Sequence, residues 1–228
     1  YPDVWIGNWL KNSGIFGIFG ELIERLNLIM GADAYIGISK STVKKLENRI
    51  NDKVHLVNCG IDPQEFKLYA SKVNPPRIIC ISRLVNYKRI DILIWAFAAL
   101  LKKGINSRLV IIGTGPEKRK LIEIAKMLKI FNHVSFLGNL PRKQLVKLLK
   151  ESTVYCLPSE VEGFGISVIE AAAAGVPYVV SNIEVFKEVT KNGQGGLIFK
   201  LGNIKDLSSK IGKLLTNRNL YQKKTKEA

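Results

Sequence analysis

The sequence predicts an α/β fold, a doubly wound parallel sheet occupying most of the chain. Two observations carry this. From Pro75 onward, strand-like and helix-like segments alternate regularly, which implies parallel strands joined by crossover helices. The strand segments are also continuous apolar runs, such as Arg77 to Ile81 (RIICI) and Val154 to Leu157 (VYCL). Strands covered on both faces read this way; half-solvated strands alternate.

The elements follow in order. Glu21 to Met30 has Leu22, Ile23, Leu26 and Ile29 at helical spacing. The Gly-rich SGIFGIFG before it reads as an interfacial anchor or, better, as core or interdomain packing, because its polar face is not strongly basic. Ala34 to Ile38 is a short strand, and Ser39 caps the helix that follows. Val54 to Val57 is a strand, ending in the turn residues Asn58-Cys59-Gly60-Ile61-Asp62-Pro63. Strands are then predicted over 77–81, 108–112, 134–137, 154–157, 178–180 and 197–199. Helices are predicted over 90–103, 117–129, 142–150 and 204–215, with a further Ala-rich helix closed by Gly175 and Pro177. Gly104 stops the first of these and Pro141 starts the third. NLYQKKTKEA reads as a basic tail.

With 228 residues and 46% hydrophobics, the chain builds its core without staples. The longest uncharged apolar run, Ile92 to Leu101, is too short to span a bilayer. Cys59, Cys80 and Cys156 show no metal-ligand spacing and read as reduced core thiols of a cytoplasmic protein. The net charge of +16 has two readings: solvated lysine-rich helix faces, or an anionic partner such as a nucleotide, a lipid phosphate or a membrane surface. No basic stretch is interleaved with aromatics, so nucleic acid is not expected as a partner. His55 and His133 have neither metal-ligand spacing nor a Ser/Asp partner and read as structural. Without an Asp-x-Asp, no metal site is implied.

The chain is organised around residues 158–181, PSEVEGFGISVIEAAAAGVPYVVS. A strand, a Gly-containing loop and a helix N-terminus together suit an anion, because loop amides face the ligand and the helix dipole adds positive charge. Glu170, about one turn inside that helix, suits a sugar diol, because a carboxylate only accepts hydrogen bonds and has two oxygens. The ordinary alternative is a solvent-exposed Glu. After the first long strand, Ser82-Arg83-Leu84 and Tyr87-Lys88-Arg89 place two cations where ligands of open α/β sheets bind. Gly113-Thr114-Gly115-Pro116 resembles the start of a dinucleotide fingerprint but lacks the third glycine, so it reads as a tight strand-to-helix turn.

Residues 158–181 closely resemble the Glu-x7-Glu signature of retaining GT-B glycosyltransferases of the glycosyltransferase 4 type. Pro158, Ser159, Glu162, Gly163, Phe164, Gly165, Glu170, Ala171, Ala173, Gly175, Pro177, Val179 and Val180 match, while Tyr178 replaces a Val. Ser82, Arg83, Leu84 and Lys88 match the family's G/S-R-L-x-x-x-K, and Phe136 to Leu140 its F-x-G-x-(V/L). Residues 58–66, NCGIDPQEF, resemble its N-G-(I/V)-D-x-x-x-F with Cys59 added. Glu188 matches a later Glu-Val, but the family's preceding Gly-Gly is replaced near Glu184-Val185.

The resemblance implies a Rossmann-like GT-B donor domain over residues 77–228, a linker over 67–76, and the end of an acceptor domain over 1–66. It implies a metal-independent, cofactor-free transfer of a sugar from a UDP- or GDP-sugar to a glycan or lipid-linked acceptor, with retention. Arg83 and Lys88 would hold the diphosphate, and Glu162 would lie by the transferred sugar. Gly163, Phe164, Gly165, Ile166 and Ser167 would supply loop amides, Glu170 would bind the ribose, and the backbone at Asn139 and Leu140 would meet the base. The expected location is cytoplasmic, with peripheral contact at the inner face of a membrane. Most of the acceptor domain, its histidine and the final crossover helix have no counterpart here, so the chain is expected to be part of a longer protein. Two alternatives stay open: a nucleotide-sugar binding module without activity, and a GT-B nucleotide-sugar epimerase.

Overall fold

The computed structural model describes residues 6, 9–10, 14–67 and 70–228. The parts of the expected 1–66 domain at 1–5, 7–8 and 11–13, and residues 68–69 of the expected linker, lie outside them. The chain divides into two compact units, Tyr1–Gly60 with Glu162–Gly165, and Ile61–Val161 with Ile166–Ala228.

In the smaller unit, helix α1 (Gly17–Ile29) follows a single 3-10 turn, Gly14–Phe16. It starts four residues before the predicted helix. The reason lies in Trp9: a Cβ on Gly20 would sit 2.5 Å from the indole ring, and one on Gly17 2.4 Å from the Trp9 backbone. Glycine is therefore required inside this helix, and Trp9 Nε1 donates to Glu24 Oε2 at 2.6 Å. Ile15, Phe16, Ile18 and Phe19 of the apolar segment are exposed. Strands β1 (Tyr35–Gly37) and β2 (Val54–Leu56) pair in parallel around helix α2 (Lys40–Glu47). Ser39 caps α2, its Oγ accepting from Thr42 N at 3.1 Å.

The larger unit is a six-stranded parallel sheet flanked by helices. Its strands are β3 (Arg77–Ile81), β4 (Arg108–Ile112), β5 (Val134–Leu137), β6 (Val154–Leu157), β7 (Tyr178–Ser181) and β8 (Gly196–Phe199). The spatial order is β5-β4-β3-β6-β7-β8, so the chain grows outward from β3 and then reverses to the other side of it at β6. Ile78, Ile79 and Cys80 of β3 and all of β6 are buried, as continuous apolar runs require. Helix α3 (Ile90–Lys102) is apolar nearly all round because it is buried, with Leu93, Ile94, Ala96, Phe97 and Leu100 at zero exposure. Helices α4 (Lys118–Met127), α5 (Arg142–Glu151) and α6 (Ile166–Ala173) follow.

Three features go beyond the sequence reading. A short helix α7 (Glu184–Val189) buries Val185 and Phe186. After α8 (Ile204–Thr216), the basic tail is helix α9 (Arg218–Glu227), capped by Asn217 Oδ1 accepting from Leu220 N at 2.9 Å. Its Lys224 Nζ donates to Gly193 O at 3.0 Å. Finally, the two units divide between Gly60 and Ile61, six residues before the expected boundary, because Ile61 and Phe66 pack into the larger core. Lys72 of the expected linker donates to Lys150 O at 2.8 Å and Ser152 O at 2.7 Å.

Residues 61–228 carry 28 of the 35 Lys+Arg and 13 of the 19 Asp+Glu, so nearly all the positive excess lies there. No helix among the described residues is long and apolar enough to cross a membrane.

Candidate nucleotide site

In a doubly wound sheet, ligands bind outside the carboxyl ends of the strands where the order reverses. Here that point is the pair β3 and β6.

The loop after β3 is stitched to the turn after β4. Ser82 N donates to Ile112 O at 3.1 Å, Leu84 N to Thr114 O at 2.8 Å, and Glu117 N to Leu84 O at 3.0 Å. A Cβ on Gly113 would lie 2.0 Å from Ser82 O, and one on Gly115 2.2 Å from Leu84 O. Both glycines thus serve backbone packing, in line with the reading of this segment as a tight turn. The loop ends in a 3-10 turn, Asn86–Lys88. Arg89 stops that turn at φ +50° and pairs with Asp91 through two 3.1 Å hydrogen bonds.

This fixes Arg83 and Lys88 around one ring. Arg83 is exposed and donates through Nη2 to the Tyr87 hydroxyl, with its Cζ 6.0 Å from the ring centroid. Lys88 is buried, at 9% exposure, with Nζ 5.3 Å from the same centroid. A ring face attracts cations through its quadrupole, so Tyr87 holds two positive charges close together that would otherwise repel. The sequence reading gave Tyr87 no role; its place between two cations of one loop was the available signal.

The loop after β6 is tied to this one, since Glu160 N donates to Tyr87 O at 2.8 Å. The Ser181 hydroxyl donates to Ser159 O. The chain then passes through Glu162–Gly165, where Glu162 and Gly163 are half-buried and Phe164 and Gly165 buried. Gly165 adopts φ +85°, a left-handed conformation that favours glycine, immediately before Ile166 opens α6. Ile166 is 42% exposed. The buried Tyr155 places its hydroxyl 2.7 Å from Ser167 Oγ and 3.3 Å from Ile81 O, joining the start of α6 to the end of β3.

Glu170 lies one turn into α6 at 9% exposure, so it is not the solvated glutamate of the ordinary alternative. Its Oε1 accepts from Arg142 Nη1 at 2.6 Å. Arg142, the first residue of α5, also donates through Nε to Glu65 Oε2 at 2.8 Å, and through Nη2 to the same oxygen. Its Cζ lies 5.4 Å from the Phe66 ring centroid. Burial works against the guanidinium charge, but the hydrogen bonds to Glu65 and Glu170 outweigh it and raise the pKa. Glu65 comes from the 3-10 turn Pro63–Phe66, capped by Asp62 Oδ1, which accepts from Gln64 N at 2.9 Å. The sequence reading missed Arg142 and Glu65. Asn139, exposed, and Leu140, half-buried, follow β5 at the same edge of the sheet.

The other candidates stand apart. His55 is on β2, and His133 precedes β5, at the sheet edge opposite the crevice. Among the described residues no group of three or more His, Cys, Asp or Glu could hold a metal. Cys80 and Cys156 are buried on adjacent strands, and burial first, then Cys80, pushes the Cys156 thiol well up.

The profile described as "Glycosyl transferases group 1" matches residues 62–228. An uncharacterized glycosyltransferase of Methanocaldococcus jannaschii is 34% identical over 171 residues, covering 69% of this chain and 44% of the relative. A GDP-mannose-dependent alpha-(1-6)-phosphatidylinositol monomannoside mannosyltransferase of Mycobacterium tuberculosis is 29% identical over 151 residues, covering 63% of this chain and 39% of its own length. Among solved structures, a variant of S. aureus TarM in complex with Fondaparinux, alpha-GlcNAc-glycerol and UDP has a TM-score of 0.79 at 22% identity, covering 91% of this chain and 42% of that one. The chain thus spans less than half the length of these relatives.

Proposed function

The chain belongs to the glycosyl transferases group 1 family, and from that premise we propose that it forms the donor-binding part of an enzyme moving a sugar from a nucleoside diphosphate to an acceptor with retained configuration. The observation that carries this is the assembly at one sheet edge of the Arg83–Tyr87–Lys88 group, the start of α6, and Glu170. Each part matches a part of the donor. The two cations and the α6 amides take the diphosphate. Glu170 takes the ribose diol, and the backbone at Asn139 and Leu140 meets the base. Glu162 lies by the sugar, with Gly163 to Ser167 supplying amides to sugar and phosphate.

In the reaction, the bond from the anomeric carbon to the β-phosphate oxygen breaks, one to the acceptor hydroxyl oxygen forms, and that hydroxyl's proton passes to the departing diphosphate. Negative charge builds on the leaving diphosphate. Arg83 and Lys88, already fixed around Tyr87, stabilise it without reorganising. The proposed donor is a UDP- or GDP-sugar; UDP is bound by the TarM variant and GDP-mannose is used by the mycobacterial relative. The proposed acceptor is a glycan or lipid-linked glycan, the chemistry needs no metal, and the proposed place of action is the cytoplasm, including the inner face of a membrane.

A thermal-shift screen of UDP-, GDP- and ADP-sugars tests the reading. At least one should raise the midpoint with saturable concentration dependence. Silence from all three, with their free diphosphates also silent in calorimetry, overturns it.

A further inference from the structure

We propose that Arg142 is a positioning residue that aims the Glu170 carboxylate at the nucleotide ribose, with Glu65 as its anchor. The inference rests on the nucleotide-site reading above and deepens it. A glutamate at 9% exposure needs a partner, because an unpaired buried carboxylate swings out or takes a proton. Among the described residues that partner is Arg142, at 2.6 Å from Oε1. An ionised carboxylate offers about four lone-pair sites. One guanidinium N–H uses one of them and leaves Oε2 for a pair of hydroxyls.

Glu65 is what makes Arg142 a fixed point. Two of its donors, Nε at 2.8 Å and Nη2, converge on Glu65 Oε2, while the Phe66 ring lies against the guanidinium, 5.4 Å from centroid to Cζ. The planar fork thus has one edge held by the Pro63–Phe66 turn and the remaining nitrogen aimed at α6. A lysine has no such fork and cannot bridge both carboxylates. The sign of the charges matters as well. Arg142 sits between two glutamates, so the cluster keeps one net negative charge and still attracts hydroxyl donors.

A merely structural clasp between α5 and α6 makes a different prediction, and the ribose 2′-hydroxyl separates the two. The 228-residue chain is titrated by calorimetry with UDP and GDP and with their 2′-deoxy forms, using Arg142→Ala, Arg142→Lys, Glu65→Gln, Glu170→Ala and the Arg142→Ala/Glu170→Ala double variant. For whichever nucleotide binds, the wild type should prefer the ribose form about tenfold, the worth of one charge-assisted hydrogen bond. Arg142→Ala and Arg142→Lys should bring that ratio near one, Glu65→Gln should lie between, and the double variant should match Glu170→Ala. The Arg142 side chain is 42% exposed, so the single Arg142 variants stay folded, and a thermal melt checks every variant. An unchanged ribose-to-deoxyribose ratio in a folded Arg142→Ala protein overturns the assignment alone. Failure of the wild type to bind either diphosphate overturns the nucleotide site, and this proposal with it.

Discussion

The turn Gly113-Thr114-Gly115-Pro116 gives the sharpest test of how the site is built. Replace Gly113 with alanine. The new Cβ would lie 2.0 Å from Ser82 O, and ordinary contact begins at 3.4 Å, so the β3 loop must retreat by about 1.4 Å. That loop is held by Ser82 N to Ile112 O at 3.1 Å and Leu84 N to Thr114 O at 2.8 Å, and neither bond survives such a shift. Two lost hydrogen bonds cost about 0.5–1.5 kcal/mol each. The φ of +132° at position 113 adds about 1–3 kcal/mol for any residue with a side chain. The total is about 2–6 kcal/mol, and its midpoint lowers the melting temperature by roughly 8–16 °C. Gly115→Ala should behave alike, with its Cβ 2.2 Å from Leu84 O. Thermal melts by circular dichroism, without ligand, read the effect. If these glycines instead served to admit a phosphate, both variants would melt within about 2 °C of the wild type and lose only nucleotide affinity, and the packing argument would be wrong.

Arg83→Ala and Lys88→Ala should each lose about 1.5–3 kcal/mol of affinity for a nucleoside diphosphate and little for the nucleoside; equal losses for UDP and uridine, or for GDP and guanosine, would move these residues off the phosphates. The 228 residues should bind donor without transferring sugar, because holding an acceptor at attack distance is worth about 7–11 kcal/mol and most of the relatives' length lies outside this chain. Robust product formation by the purified chain would refute that. Lys72 is exposed as a residue, but its ammonium is partly desolvated against the Lys150 and Ser152 carbonyls, and this, then the charge of Lys150, lowers it from 10.5 to about 8. The unfolded chain holds that proton more tightly, so the penalty is complete below pH 8 and fades as pH rises toward 10.5. The stability of Lys72→Met relative to the wild type should therefore be greatest at neutral pH and shrink across that window, damped by solvent; a pH-independent difference in urea melts would count against it.

The sheet was legible because its inner strands are buried on both faces, β6 and β7 throughout, and for β3, β4 and β6 the apolar runs end where the strands end. Helix α9 was not, because a run of lysines looks the same solvated or docked, and what docks it, Gly193 O on Lys224, is 31 residues away. The site divided along the same line. Arg83, Lys88 and Glu170, the proposed donor contacts, sit inside contiguous motifs that a sequence displays by itself. Arg142 and Glu65 are 77 positions apart and individually ordinary, and only the fold makes them neighbours. The weak cue was that Arg142 opens the helix reached from β5 through Asn139 and Leu140.

The charge division has a kinetic consequence. Residues 61–228, with 28 cations against 13 carboxylates, draw in polyphosphates of every kind, whatever base or sugar they bear. Arrival cannot be the selective step, since the field reads only charge. At the proposed site, selection would fall on departure, where Glu170, the loops and the base contacts would decide how long each visitor stays. Salt should therefore slow capture of cognate and non-cognate nucleotides in parallel, over a screening length of about 8 Å at physiological ionic strength, and leave their dissociation rates in the same ratio.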